Sequence, residues 1–196
     1  MILSDVDIIS RMRAGDLIVA PIEDYRMQIQ PCSIDLRLAD RFARYIEGGC
    51  SHHEAIDPLS FDADNAIYTV ESDHWVLEPG AFLLGSTIEH VTVPDDLLGR
   101  LDGRSTYGRY GVTCHVTAGF IDPGFKGTIT LEIANLGPRP VIITAGERIC
   151  QISFQQLLTP AGVPYGHSSR PSKYQYQEGP TAPKPTLSEF VELADD

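Results

Sequence analysis

From residue 126 to 135 the chain reads KGTITLEIAN, with Ile129, Leu131 and Ile133 on every second position. A period of two predicts a β-strand over 128–134 that turns these three aliphatic side chains toward a core. Thr128, Thr130, Glu132 and Ala134 then take the other face. Similar short runs, punctuated by Pro, Gly and Asp, predict further strands at 33–38, 41–46, 75–78, 81–86, 89–93, 112–117, 140–144 and 149–157. That density of strands implies a mainly β fold, a barrel or jelly-roll. A helix pattern stands at the start of the chain. Ser4 is placed to cap it, Asp7 to complete a capping box, Leu3 and Ile8 to staple it, and Gly15 to end it. Residues 48–66 are polar and turn-rich and read as a loop.

The last part of the chain breaks this rhythm. Residues 159–186 hold six prolines and three tyrosines, too irregular for another core strand. The expected organisation is therefore one domain over 1–158 followed by an arm over 159–196, whose far end from 187 reads as solvated.

Composition narrows the partners. A chain of 196 residues, 42% hydrophobic, can bury one full core. Its 27 acidic and 15 basic residues leave a net charge of −12, which repels nucleic acid and anionic membranes. A free anion such as a triphosphate stays compatible where the few cations gather. No stretch approaches the roughly 18 apolar residues of a membrane helix, and MILSDVDIIS lacks the basic flank of a signal peptide, so a cytoplasmic protein is expected. The cysteines, Cys32, Cys50, Cys114 and Cys150, include no C-x-x-C pair, and His52-His53 fits no ligand spacing. Zinc is not expected, and the thiols read as reduced and buried.

Three clusters could carry chemistry. Glu132, on a face of small polar residues, is either a solvated strand residue or, beneath a pocket, a proton shuttle. Arg104, Ser105 and Arg109, among Gly103, Gly108 and Gly111, are either ordinary surface residues or a phosphate cradle built from guanidiniums, a hydroxyl and backbone N–H groups. Asp122 opens the turn Asp122-Pro123-Gly124, as a cap or as a contact to a sugar hydroxyl, a water or a hydrated metal ion.

In order along the chain, GRSTYGR at 103–109, HVTAGFIDPGF at 115–125 and TLEIAN at 130–135 resemble the motifs of the dCTP deaminases, a family with a trimeric, dUTPase-like distorted β-barrel. The likeness extends to MILSDVDI at the start, QPCSIDLRL at 30–38, PGAFLLGSTIEHVTVP at 79–94 and PYGHSSRPSKYQYQEGP at 164–180. It implies that Glu132 is the general base for attack of water on C4 of cytosine in dCTP, with release of ammonia. Ser105 and Arg109 then hold the water and the tetrahedral centre, while Arg104, Thr106, Tyr107 and Gly108 meet the phosphates. Asp122 contacts the deoxyribose 3′-hydroxyl, and the main chain at Thr117 and Ala118 reads the base. Thr130 and Leu131 join the substrate contacts beside Glu132, and the arm supplies Tyr165, Lys173 and Gln177 on closure.

The same resemblance implies a homotrimer with sites shared between subunits, magnesium carried by the triphosphate, and dUTP and dTTP as further ligands, dTTP as an effector. Gly119-Phe120 and the stretch GERICQ ending at Gln151 are similar to bifunctional members that go on to dUMP. Gln151 could equally be a polar-face strand residue. A monofunctional deaminase releasing dUTP, a dUTPase and a non-catalytic nucleotide sensor are the competing readings. Tyr107 and Tyr110 depart from the family's usual aliphatic residues, and Cys114 is also unusual, which leaves a modified cytosine nucleotide open as substrate. Tyr107 either donates to a ligand oxygen or packs with its hydroxyl satisfied at the rim. His115 reads as a hydrogen-bonded supporting residue.

Overall fold

The structure is a computed structural model, and it describes residues 1–46, 55–117, 119–170 and 172–185. Ser4 accepts from the Asp7 N–H while the Asp7 carboxylate accepts from the Ser4 N–H, so the helix α1 (Asp5–Ala14) opens on the expected capping box and closes on Gly15 in the left-handed conformation, φ 82°. Leu3 and Ile8 are both buried. Then follow β1 (Ile18–Ala20), α2 (Tyr25–Gln28), β2 (Ile29–Gln30), β3 (Ser33–Arg37), β4 (Arg41–Tyr45), α3 (Ala63–Ala66), β5 (Ile67–Glu71) and β6 (His74–Leu77). The chain continues through β7 (Phe82–Thr92), β8 (Leu97–Gly103), α4 (Ser105–Arg109), β9 (Val112–Thr113), β10 (Phe120–Ile121), β11 (Lys126–Asn135), β12 (Val141–Thr144) and β13 (Arg148–Gln156).

The fold is mostly β, as the hydrophobic pattern implies. Among the described residues the strands form two large sheets instead of one closed cylinder. One runs β5-β4-β7-β11-β9 with β1 added on β7, the other β10-β8-β13-β3-β2, and β12 pairs with β6. An isolated bridge between Leu38 and Thr87 ties the two large sheets together. The core holds Leu36, Phe42, Leu131, Ile133, Ile152 and Phe154, all fully buried. Burying each such side chain contributes roughly 1.5–3 kcal/mol relative to leaving it in water.

The strands expected at 81–86 and 89–93 are two halves of β7. Thr128 of β11 pairs with His90 and Thr130 with Ser86, so β7 carries extra residues where the register shifts. Thr87 pins this bulge, accepting from the Ile129 N–H at 2.9 Å and donating to the Glu89 carbonyl at 2.8 Å. The strand expected at 112–117 stops after Thr113. There the Thr113 hydroxyl takes the His115 carbonyl and the Cys114 thiol takes the Ile149 carbonyl, so side chains replace the ladder.

Strand β8 carries no clear strand signal because Gly99 and Gly103 dilute it. A Cβ on Gly99 would stand 3.0 Å from Ile121 Cβ and 3.1 Å from Ile152 Cδ1, so close packing between strands requires the glycine. Within the segment expected as a loop, α3 forms at 63–66, and residues 47–54 lie outside the described residues. Cys114 and Cys150 are buried free thiols, but Cys32, expected to be buried, is exposed, and Cys50 lies outside the described residues. Burial pushes the Cys114 thiol up to about 12 and that of Cys150 well above the ordinary range.

Candidate active site

Strand β11 turns Ile129, Leu131 and Ile133 into the core and Thr130 and Glu132 into a cavity of about 490 Å³. Glu132 is half-buried there, and its Oε2 accepts a hydrogen bond from the Val116 N–H at 2.8 Å. That bond ties the carboxylate to Val116, in the segment between β9 and β10. Neighbouring β7 places Leu84 opposite Glu132 and Phe82 opposite Ala134, and both side chains line the wall with Tyr45 and Phe120. These aromatic and aliphatic groups give the cavity flat apolar sides suited to a ring.

Asp122 lines the same cavity from the turn after β10, and the Phe125 N–H closes that turn on the Asp122 carbonyl. Gly124, φ 91°, completes it with the Tyr165 carbonyl so close that a Cβ would stand 2.6 Å away. The arm passes here. The Tyr165 N–H donates to the Pro123 carbonyl, Thr128 N–H donates to the Gln177 carbonyl, and Gln177 Nε2 returns to the Thr128 carbonyl at 2.8 Å. Tyr165 and Gln177 therefore close one side of the cavity, joined by Tyr174 and Thr181. The Tyr165 hydroxyl accepts from the Tyr174 N–H. Burial raises its ionisation above the ordinary phenol range.

His115 reaches the cavity with Nε2 4.0 Å from Asp102 Oδ1, while its buried Nδ1 has no hydrogen-bond partner among the described residues. Gly119 packs against it, since a Cβ there would meet His115 Cε1 at 3.4 Å and the Leu101 carbonyl at 3.1 Å. Thr117 is exposed at the bend before Gly119, and Ala118 lies outside the described residues.

The structure keeps the phosphate-cradle residues away from this cavity. Ser105, Thr106, Gly108 and Arg109 are exposed on α4, and none of them lines the wall that holds Glu132. Among the described residues, no Lys or Arg lines it either. Arg104 turns inward, with Nε 3.1 Å from Asp35 and Nη1 donating to the Arg148 carbonyl at 2.9 Å, so it is also engaged in an internal ion pair.

Asp35 is buried between Arg104 and Arg148. Desolvation pushes its carboxyl up against the pull of the two guanidiniums. Tyr107 is buried too, and its hydroxyl donates to Glu147 Oε2 at 2.5 Å, which leaves it bound within the protein. Leu131 lies in the core, so its side chain takes no part in the cavity. Gln151 sits on β13 between Asp35 and Asp102 of the neighbouring strands, and Lys173 lies in the arm with its carbonyl taken by the Lys184 ammonium. Neither belongs to the wall around Glu132.

Tyr45, Phe82 and Tyr174 were not expected from the sequence. Phe82 and Leu84 carry a signal only once β7 is paired with β11 in register, and Tyr45 only once β4 is placed beside β7. Among the described residues no group of three or more His, Cys, Asp or Glu side chains is placed to hold a metal ion.

A family model described as dCTP deaminase-like matches residues 2–157. The chain belongs to the dCTP deaminase-like family. Among its relatives within that family, a dCTP deaminase of Haloarcula marismortui is 47% identical over 186 residues, covering 94% of each chain. A dCTP deaminase, dUMP-forming, of Methanosphaera stadtmanae is 45% identical over 184 residues, covering 93% of each. In three dimensions the chain is similar to the 2'-deoxycytidine 5'-triphosphate deaminase from Agrobacterium tumefaciens, with a TM-score of 0.60 and 25% identity over 79% of this chain. It spans 48% of that longer chain.

Proposed function

We propose that this member of the dCTP deaminase-like family hydrolyses dCTP at C4 of cytosine, releasing ammonia, and carries the product on to dUMP and pyrophosphate. The observation that carries the reading is Glu132, a carboxylate fixed by the Val116 N–H on the wall of an aromatic-sided cavity. Glu132 takes a proton from water as the water oxygen bonds to C4. The C4–N3 double bond opens onto N3, the same proton passes to the amino nitrogen as the C–N bond breaks and ammonia leaves, and the hydroxyl proton ends on N3 as the C4 carbonyl forms. Asp122 is assigned to the 3′-hydroxyl and the main chain at Thr117 and Ala118 to the base edge, where a wrong base would leave hydrogen-bonding groups unpaired. Tyr165, Lys173 and Gln177 act on the arm, which excludes water as it lies over the cavity.

The missing positive charge implies a second copy. A cavity lined by acidic groups and, among the described residues, by no Lys or Arg does not hold a triphosphate unaided, whereas α4 exposes Ser105 and Arg109 away from it. We assign the two halves to neighbouring subunits of a homotrimer, with electrostatic preorganisation around the tetrahedral carbon supplied across the interface. Ser105 and Arg109 of α4 then serve the tetrahedral centre, while Thr106 and the backbone N–H groups of the same loop meet the phosphates, which fits magnesium that arrives on the nucleotide and neutralises its charge there.

The dUMP-forming activity is supported by Gly119, where a Cβ would press on the Leu101 carbonyl and His115, and by the names of several relatives. The role is supply of thymidylate precursor in the cytoplasm, with dUTP as intermediate and dTTP as effector.

One assay decides among deaminase, dUTPase and sensor: incubation with dCTP or dUTP plus magnesium, with ammonia and nucleotides resolved. Ammonia with dUMP and pyrophosphate is expected, and no ammonia from dCTP would sink the reading. Mixing inactive Arg109→Ala with inactive Glu132→Gln protein should restore turnover at about a quarter of the sites in randomly reassembled trimers. Silence from demonstrably mixed trimers rejects the shared site.

A further inference from the structure

Helix α4 has five residues and no side-chain bond at its N-cap, so it cannot hold its own shape and must be held by what it packs on. Arg104 and Tyr107 stand three positions apart, which places them on one side, and both turn inward. Ser105, Thr106, Gly108 and Arg109 are exposed. Arg104 is tied to Asp35 and to the Arg148 carbonyl, and Tyr107 to the Glu147 carboxylate, so two consecutive residues, Glu147 in the turn before β13 and Arg148 at its start, receive the inner side of α4.

That turn is firm. The Gly146 N–H donates to the Leu38 carbonyl at 2.8 Å, and the Leu38 N–H donates to the Glu147 carbonyl at 2.9 Å. A phenylalanine would fill the Tyr107 site equally well, so what the hydroxyl adds is direction. A phenol bonded to a carboxylate at 2.5 Å is a strong, charge-assisted link, and it fixes the helix in rotation about its axis. Burial, reinforced by Glu147, holds the proton on the phenol and keeps one donor in the link.

We infer that Tyr107 and Glu147 form a latch that sets the rotation of α4 and so aims Ser105 and Arg109 at the reacting centre of the neighbouring subunit. Both are positioning residues, and the inference rests on the shared-site reading above. The link trades a ligand-facing tyrosine for an internal one and explains why an aromatic hydroxyl stands in a loop otherwise read as a phosphate cradle.

The test uses the full-length protein and its Tyr107→Phe, Glu147→Ala and Glu147→Gln variants, with ammonia release from dCTP and magnesium, oligomeric mass and thermal midpoint measured on each. Glu147 is exposed, so its truncation leaves the core intact and carries the test even where Tyr107→Phe folds poorly. A misaimed donor costs transition-state stabilisation more than binding. The expected result for Tyr107→Phe and Glu147→Ala is a fall in kcat of about tenfold, with KM changed by less than about twofold and the oligomer unchanged.

The double variant should lose no more than either single one, because the two act as a unit. Glu147→Gln still accepts the phenol's hydrogen bond and should recover most of kcat. A folded Glu147→Ala protein with wild-type kcat, additive losses in the double variant, or Glu147→Gln as slow as Glu147→Ala each overturns the latch. A wild-type protein silent toward dCTP sinks the functional reading and the latch together, whereas an active wild type with unaffected variants sinks the latch alone.

Discussion

Glu132 and Glu89 sit on paired strands of one sheet and meet opposite fates. Glu89 lies in the bulge of β7, fully buried, and its carboxylate accepts from Gln28 Nε2 at 2.9 Å, from the Arg37 N–H at 2.8 Å and from Arg37 Nε at 2.7 Å. Both of its oxygens are taken by the protein. Among the described residues Glu132 has one hydrogen bond, from the Val116 N–H, and it lines the cavity. An acid with an internal cation is committed to the fold, because desolvation is offset only while the partner stays. An acid on a cavity wall with no cation in the same wall remains available to accept a proton from something that enters.

The comparison is sharpest in the pair of single replacements. Glu132→Gln should lower ammonia release by about 10²–10⁴-fold, the usual contribution of a general base, and leave the thermal midpoint where it was. Glu89→Ala should do the reverse. It removes the buried partner of the half-buried Arg37, which keeps Glu23 and the Pro21 carbonyl, and costs about 1–3 kcal/mol of stability, read by denaturant titration, while the rate per folded site changes little. A Glu132→Gln protein that melts early, or a Glu89→Ala protein of full stability, would reverse the assignment of the two acids.

A smaller effect tests how the arm closes the cavity beside Glu132. Gly127, φ 148°, lets the Gln177 carbonyl approach to where a Cβ would stand 2.8 Å away. Gly127→Ala should push the arm off β11 at about 1–3 kcal/mol, seen as faster cleavage within 159–185 by a protease and a raised KM, with Glu89 and its partners undisturbed. Unchanged cleavage would mean that the arm is held elsewhere.

The sequence makes some of this legible and hides the rest for definite reasons. The capping box of α1 and the alternation of β11 are local, so Ser4, Asp7 and Glu132 are found where their neighbours in the chain put them. The bulge of β7 is not local. In STIEHVTV, Glu89 looks like one more polar position, and only the arrival of Arg37 and Gln28 from β3 and α2 makes it a buried ion. Arg104 reads as a phosphate ligand because it stands with Ser105 and Arg109 among glycines in a family-like motif, and Asp35, contributed by another strand, turns it inward. Strand β8 is masked by the glycines that its own close packing demands. Tyr45 and Phe82 enter the cavity through cross-strand register, which no run of residues displays.

The smallest prediction separates side chain from backbone in the same arm. Gln177 holds β11 by backbone and by side chain: its carbonyl accepts from the Thr128 N–H and hydroxyl, and its Nε2 donates to the Thr128 carbonyl. Gln177→Ala removes the side-chain bond and keeps those of the backbone. A single such bond is worth about 0.5–1.5 kcal/mol, so cleavage of the arm should quicken only about twofold to tenfold, well short of the effect of Gly127→Ala. The Gln177 side chain also lines the cavity, whereas Gly127 does not. Nucleotide should therefore protect the Gly127→Ala arm more fully than the Gln177→Ala arm, once each is compared with its own unliganded rate. Equal protection would show that the arm closes through its backbone alone and that Gln177 contributes nothing to what the cavity holds.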